Sequence, residues 1–189
     1  ILAVFGGSQG ATPLNQWARA AARALAALGV QLACVTGLGK GESEFTTAPG
    51  VSGEPVRSAW IPFCDDVAGL LSAADLVVAR AGAGSLAEFA RIGSPAILVP
   101  YPQAADDHQR ANAAYFAAQG GGVVVEQASL AQLTPLAASL LLDAPRLAEL
   151  RAALARLDAA PALDFILDDL AGLVAPRTPP PTARVPAAA

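Results

Sequence analysis

The sequence predicts a doubly wound α/β domain, a parallel sheet covered on both faces, with a C-terminal helical extension. Three observations predict it. Short apolar runs alternate with stretches of helical spacing as far as Val125; glycine- or small-residue turns follow several of the runs; and from Ser129 onward only helical spacing remains. Strands alternating with helices imply βαβ units, and these require right-handed crossovers and helices on both sides of the sheet.

The elements follow in order. Ile1–Phe5 is an apolar run stopped by Gly6-Gly7-Ser8-Gln9-Gly10, as expected of a strand buried on both faces. From Pro13 to Leu28, Leu14, Trp17, Ala21, Leu25 and Leu28 recur at helical spacing, and Gly29 supplies the stop. Val30–Thr36 is the second strand, 37–53 a loop of glycines and polar residues, and Val56–Ile61 a weaker third strand. Asp65–Ala74 reads as a helix and Leu76–Ala79 as a strand. The small-residue turn Ala81–Ser85 leads into a helix to Ile92, stopped by Gly93. Ala96–Val99 is a strand between prolines, 107–119 a helix and Val123–Val125 the last strand. The helical remainder breaks near 143–145 and 159–161, and 176–189 is a Pro/Ala-rich stretch read as a disordered tail.

Composition bounds the class. Of 189 residues, 54% are hydrophobic and 15% charged, too apolar for a disordered chain. A net charge of −4 carries no nucleic-acid footprint. Cys34 and Cys64 stand apart, with no metal or disulfide spacing, and the single histidine with scattered acids gives no metal ligand set. The longest uncharged stretches, 1–18 and 127–142, are interrupted by polar residues, glycine or proline, and read as neither membrane spans nor a signal peptide. Methionine is absent, even at position 1, where the chain opens inside a predicted strand. The expectation is therefore a piece of a longer protein whose missing part lies N-terminal.

Ligands of doubly wound sheets sit beyond the carboxyl ends of the strands, so the residues following each strand are the informative ones. Gly6–Ala11 allows a sharp turn and close ligand approach at a helix start, suiting a phosphate cradle with the Ser8 hydroxyl as a donor. A tight turn with an N-cap would read the same way. The same residues form G-x-S-x-G, the nucleophile elbow of serine hydrolases, and Ser8, Asp75 and His108 even meet a triad order. Against that rival, His108 opens a predicted helix, and a second glycine-rich turn is unneeded. In that second turn, Arg80–Glu88, small residues admit a flat ligand, and Glu88 can accept bonds from a ribose diol or merely favour the helix dipole. The third cluster, 100–112, places His108, Gln109 and Asn112 near a helix start, with Asp106 or Asp107 as cap. Two such helix starts on one sheet favour a nucleotide-sugar site.

Together and in this order, Gly6–Ala11 with Asn15, Phe63-Cys64-Asp65-Asp66, Arg80–Glu88, the 93–100 segment, and His108-Gln109 with Asn112-Ala113 resemble the C-terminal half of the MurG family. The resemblance spans roughly 1–173. It implies the donor-binding, Rossmann-like half of a GT-B glycosyltransferase over 1–175, an inverting hexosyltransferase with no cofactor. The reaction so implied moves N-acetylglucosamine from UDP-GlcNAc to undecaprenyl-pyrophosphoryl-MurNAc-pentapeptide, lipid I giving lipid II in peptidoglycan synthesis. By the same resemblance Ser8, with Gln9 and Gly10, holds the donor pyrophosphate, and the backbone at Phe63 and Cys64 meets the uracil. Ala83, Gly84, Ser85 and Leu86 line the phosphate turn, Glu88 takes the ribose hydroxyls, and His108 with Gln109 takes the sugar. The catalytic base, the lipid I contacts and the membrane-facing patch fall to an N-terminal acceptor domain absent from this chain. The whole protein would be cytoplasmic and peripheral on the inner membrane face. Cys64 departs from the branched aliphatic usual there. Other readings are a non-catalytic nucleotide-sugar module, another GT-B enzyme such as a UDP-GlcNAc 2-epimerase, and, more distantly, the Ser8 hydrolase.

Overall fold

A computed structural model describes residues 1–158 and 162–174. The chain divides into two compact units, Ile1–Asp158 and Ala159–Ala189. In the first, a seven-stranded sheet has β1 (Leu2–Phe5), β2 (Leu32–Val35), β3 (Glu44–Pro49), β4 (Pro55–Ile61), β5 (Leu76–Ala79), β6 (Ala96–Leu98) and β7 (Gly122–Val124) in the order β3-β4-β2-β1-β5-β6-β7. The helices are α1 (Thr12–Ala26), α2 (Val67–Ala73), α3 (Ala83–Ile92), α4 (His108–Ala118), α5 (Leu133–Leu141) and α6 (Ala144–Leu157). In the second unit, α7 spans Ala162–Val174. The span predicted as one domain, 1–175, thus takes in the first unit and the described helix of the second. The 159–161 break and the 176–189 tail lie outside the described residues.

Strand alternation decides what covers each face. Leu2, Val4, Leu76, Val78, Ile97 and Val99 enter one core with Leu14, Leu25, Leu133 and Leu150 from α1, α5 and α6. Ala3, Val77, Ala79, Ala96 and Leu98 enter the other with Leu71, Phe89 and Phe116 from α2, α3 and α4. The central strands are covered on both faces, and all four residues of β5 are buried. Each fully buried leucine contributes about 1.5–3 kcal/mol by transfer from water. The doubly wound prediction therefore holds over the six strands β4, β2, β1, β5, β6 and β7, which run parallel.

Three local readings need correction. The predicted 37–53 loop contains β3, an edge strand antiparallel to β4. It escaped because Glu44-Phe45-Thr46-Thr47-Ala48-Pro49 buries neither face: Phe45 is 65% exposed. Its anchors are polar and aromatic, with Trp60 donating from Nε1 to Thr46 Oγ1 at 3.3 Å and Arg19 stacking on Trp60 while pairing with Glu44 at 2.7 Å. The helix read from Asp65 starts at Val67, with Asp66 as its cap accepting from Gly69 N at 2.8 Å. Finally, Asp107 occupies the N-cap position of α4 without capping it; its carboxylate turns to Arg110 at 2.7 Å. Asp106 and Asp107 both have left-handed backbone, φ 50° and 52°, which puts a tight 3₁₀ turn (Ala105–Asp107) ahead of α4. Asp is one of the few side chains that accept this conformation readily.

Candidate functional site

Because β4, β2, β1, β5 and β6 are parallel, the segments that follow them leave by the same sheet edge. These are Phe63-Cys64, 36–41, Gly6–Ala11, Arg80–Ala83 and 99–104. The winding reverses between β1 and β5, whose neighbours in register are Phe5 and Ala79. A crevice outside the carboxyl ends at such a reversal is the expected ligand position. A cleft of about 510 Å³ opens there, lined by Gly6, Gly10, Ala11, Thr12, Pro13, Lys40, Arg80, Tyr101, Gln103, Gln109 and Gln127. That volume lies within the range of small-molecule sites. Its wall carries two cations and no carboxylate.

The first wall is the Gly6–Ala11 turn, folded so tightly that glycine is required twice. A Cβ on Gly6 would lie 2.0 Å from Ala11 N; one on Gly10, whose φ is +64°, would lie 1.8 Å from the Thr36 carbonyl oxygen. The turn is closed by Gly10 N donating to Gly7 O at 2.9 Å and is tied to the segment after β2 by Leu38 N donating to Ser8 O at 3.2 Å. Asn15 fastens the same junction, donating from Nδ2 to Thr36 O at 2.7 Å. Its Oδ1 faces the Cys34 thiol at 3.7 Å, and burial pushes that thiol up to about 12. Ser8 and Gln9 are exposed on the turn. The residue before α1 is Ala11, whose methyl cannot cap, so no side chain satisfies the N–H groups of the first turn.

The second wall starts at Arg80. Its Nη1 donates to Val99 O at 2.9 Å and Pro100 O at 3.1 Å, its Nη2 bonds Gln127 Oε1, and its guanidinium lies 5.4 Å from the centre of the Tyr101 ring. Burial lowers its pKa, yet a guanidinium stays charged. Next, α3 begins after Gly82, again with no capping side chain. Around Gly84 a Cβ would meet nothing within 4 Å, so the approach to this helix start is open. Ser85 is half-buried, and Ala83 and Glu88 are exposed. Leu86 differs: its side chain is 9% exposed in the core and its N–H donates to Gly82 O at 3.0 Å.

The third wall is the start of α4. Gln109 Oε1 accepts from Tyr101 N at 3.0 Å, which leaves its amide NH₂ as a donor. His108 Nδ1–H donates to Ala105 O at 2.7 Å, so the neutral ring keeps Nε2 as an acceptor. Asn112 donates to Ala81 O at 3.1 Å and locks α4 against the second turn. Arg110 bridges Asp107 and Glu126, and this bond holds the Glu126 carboxyl below its usual range.

Of the clusters singled out in the sequence, Gly6, Gly10 and Ala11 of the first, Arg80 of the second and Tyr101, Gln103 and Gln109 of the third line the cleft. Ser8 and Gln9 stand on the Gly6–Ala11 turn, Ala83, Gly84 and Ser85 in the first turn of α3, Glu88 a turn further along α3 and His108 at the start of α4, and none of the seven lines the cleft. Phe63 and Cys64 follow β4, two strands from β1 on the same edge. Sequence reasoning missed Thr12, Lys40 and Gln127, and it gave Arg80, Tyr101 and Gln103, though inside the singled-out clusters, no role of their own. The rule that residues after strands matter reaches Lys40 as well, but in the sequence 37–53 reads as connecting loop. The hydrolase triad does not form. Asp75 precedes β5, at the opposite sheet edge, where it faces Arg151 at 3.6 Å. A four-residue strand, about 13 Å at ~3.3 Å per residue, separates the two edges. Among the described residues no three His, Cys, Asp or Glu side chains group as metal ligands, and no helix is long and apolar enough to cross a membrane.

Comparison with known proteins gives the same reading of the fold and names its family. The model of the glycosyltransferase family 28 C-terminal domain matches residues 1–163. An Opitutus terrae protein named UDP-N-acetylglucosamine–N-acetylmuramyl-(pentapeptide) pyrophosphoryl-undecaprenol N-acetylglucosamine transferase is 55% identical over 170 residues, covering 90% of this chain and 45% of that protein. A protein of the same name from Synechococcus sp. (strain RCC307) is 48% identical over 127 residues, 67% of this chain and 33% of its own length. The crystal structure of Acinetobacter baumannii MurG superposes with a TM-score of 0.74 at 27% identity, over 90% of this chain and 49% of that one. The chain thus spans less than half the length of these relatives. It belongs to glycosyltransferase family 28, as a C-terminal domain of the MurG type.

Proposed function

We propose that this chain is the donor-binding portion of an inverting N-acetylglucosaminyltransferase that uses UDP-GlcNAc and the acceptor lipid I to make lipid II for peptidoglycan. One observation carries the reading: a cleft at the sheet's reversal point that opens on the uncapped α1 start and is walled by Lys40 and Arg80 with no acid, the uncapped α3 start following Arg80 on the same sheet edge. Such a wall suits an anionic diphosphate, since helix N-termini present free N–H groups and positive potential. The names of the relatives supply the donor and the acceptor.

In the reaction so proposed, the acceptor hydroxyl oxygen bonds the anomeric carbon as the bond from that carbon to the UDP oxygen breaks. The acceptor's proton passes to a base, and UDP leaves with the electron pair. This chain's share is to hold the donor and spread the charge that grows on the departing diphosphate. Ser8 and the Gly6–Ala11 turn serve the diphosphate, the α3 start at Ala83–Ser85 serves the nucleotide phosphates, and Glu88 serves the ribose diol. Phe63 and Cys64 present backbone to the uracil, and His108 with Gln109 holds the sugar. Leu86 contributes only by shaping the α3 start from beneath. The base, the lipid I contacts and attachment to the inner membrane face belong to parts of the enzyme outside this span.

Calorimetric titration of the chain tests the reading. UDP-GlcNAc is expected to bind at least tenfold more tightly than ADP-glucose. Equal affinities, or no binding of either, would overturn it.

A further inference from the structure

We infer that Lys40 is a further donor-site residue, an ammonium held against the α1 start so that it partners the diphosphate of the bound nucleotide. The inference rests on the reading above and deepens it.

The backbone is built to bring this one side chain back. After β2 the chain runs Thr36-Gly37-Leu38-Gly39-Lys40-Gly41, and Gly37, Gly39 and Gly41 all have positive φ, 102°, 74° and 105°. Gly37 and Gly10 lie backbone against backbone: a Cβ on Gly37 would fall 2.4 Å from the carbonyl of Gln9 and 2.5 Å from Gly10 N. This segment therefore wraps the phosphate turn and cannot drift from it. Lys40 N donates to Gly37 O at 3.2 Å, tightening the loop, and its Nζ crosses to the start of α1. There it donates to Gly10 O and to Thr12 Oγ1, each at 3.2 Å.

That placement is a poor one for stability alone. Cations favour the C-terminal ends of helices, and the N-terminal end repels them. Among the described residues no carboxylate lies within ion-pair distance of Lys40, whereas five of the nine described arginines have one. An ammonium has three donors, and the two bonds above leave one for a ligand. The other cation of the wall is not equivalent: Arg80 spends its guanidinium on Val99, Pro100 and Gln127 and so braces the wall. An anion at the α1 start would satisfy the helix N–H groups, the third Lys40 proton and the local charge together.

The test is titration of Lys40→Met, Lys40→Arg and the unsubstituted chain with UDP and with uridine, alongside urea unfolding. Lys40→Met is expected to lose about tenfold or more in UDP affinity, as befits a hydrogen bond between charged groups, with uridine affinity unchanged. Lys40→Arg should retain most of it, and stability should not fall. Loss of UDP and uridine affinity in equal measure, with lowered stability, would make Lys40 a brace of the Gly10 turn and overturn the inference. So would unchanged UDP affinity in Lys40→Met. Failure of the unsubstituted chain to bind UDP at all would instead refute the donor-site reading on which it rests.

Discussion

Gly84→Ala separates what the fold needs from what the ligand needs. Gly84 is the second residue of α3, in helical backbone, and a methyl added there meets nothing within 4 Å. The substitution carries no steric cost in the free protein and removes backbone freedom from the unfolded chain. It should stabilise the fold by about 0.4–1 kcal/mol. If the nucleotide phosphates dock on the α3 start, the same methyl stands where they approach and holds them off the N–H groups. Losing one hydrogen bond to a charged group costs about 1.5–3 kcal/mol, roughly 10- to 150-fold in affinity. Urea unfolding and calorimetric titration with UDP on the same preparations give both numbers. A more stable protein that binds UDP at least tenfold more weakly is the expected pair. A stabilised protein with unchanged UDP affinity would show that the ligand does not approach the helix at Gly84. A destabilised one would contradict the open space around it.

Further substitutions carry expected outcomes. Gly10→Ala places a Cβ 1.8 Å from the Thr36 carbonyl at φ +64°, so it should lose about 1–2 kcal/mol to left-handed backbone and about 1–3 more to parting the two turns, whereas Gly7→Ala, at φ +80° in open space, should lose only the first. Equal urea midpoints for the two variants would refute that distinction. In the enzyme, Ser8→Ala should reduce turnover by about 2.7–4 kcal/mol, while Glu88→Ala, exposed on α3, should weaken UDP binding by about 1–3 kcal/mol with stability intact; unaltered kinetics or affinity would remove the residue from the site. Burial raises the Cys34 thiol from its ordinary 9.0 to about 12, so above pH 9 the unfolded chain releases a proton that the folded chain keeps. Stability should then fall by about 1.4 kcal/mol per pH unit between 9 and 12, and Cys34→Ala should flatten that alkaline limb; identical slopes would refute the assignment.

The sheet was legible because its strands are buried on both faces. Leu76-Val77-Val78-Ala79 has no solvent side, so it reads as an unbroken apolar run, and its bounds match the structure. β3 was not legible for the opposite reason: an edge strand with an exposed Phe45, held by Trp60 and Glu44 contacts from elsewhere, leaves no period in its own sequence. The glycine turns announced themselves at Gly6–Ala11 and Ala81–Ser85. What the turns are packed against did not, because Gly10 meets Thr36 and Lys40 meets Thr12 across 26 and 28 residues of chain. Arg80 stood in view at the end of β5, yet its role as a brace depends on Val99, Pro100 and Gln127, which only folding brings near. The hydrolase reading shows the converse hazard: Ser8, Asp75 and His108 satisfy an order in sequence that the parallel sheet places at opposite edges.

On the proposed reading, one sheet edge, at the reversal between β1 and β5, receives a uridine diphosphate. Titrating UDP into the isotopically labelled chain and following its backbone amides tests that most directly. We expect saturable shifts concentrated at residues 6–12, 36–41, 80–85 and 108–109, with the opposite edge around Asp75 silent. Shifts centred on that opposite edge, or none at saturating UDP, would contradict the account.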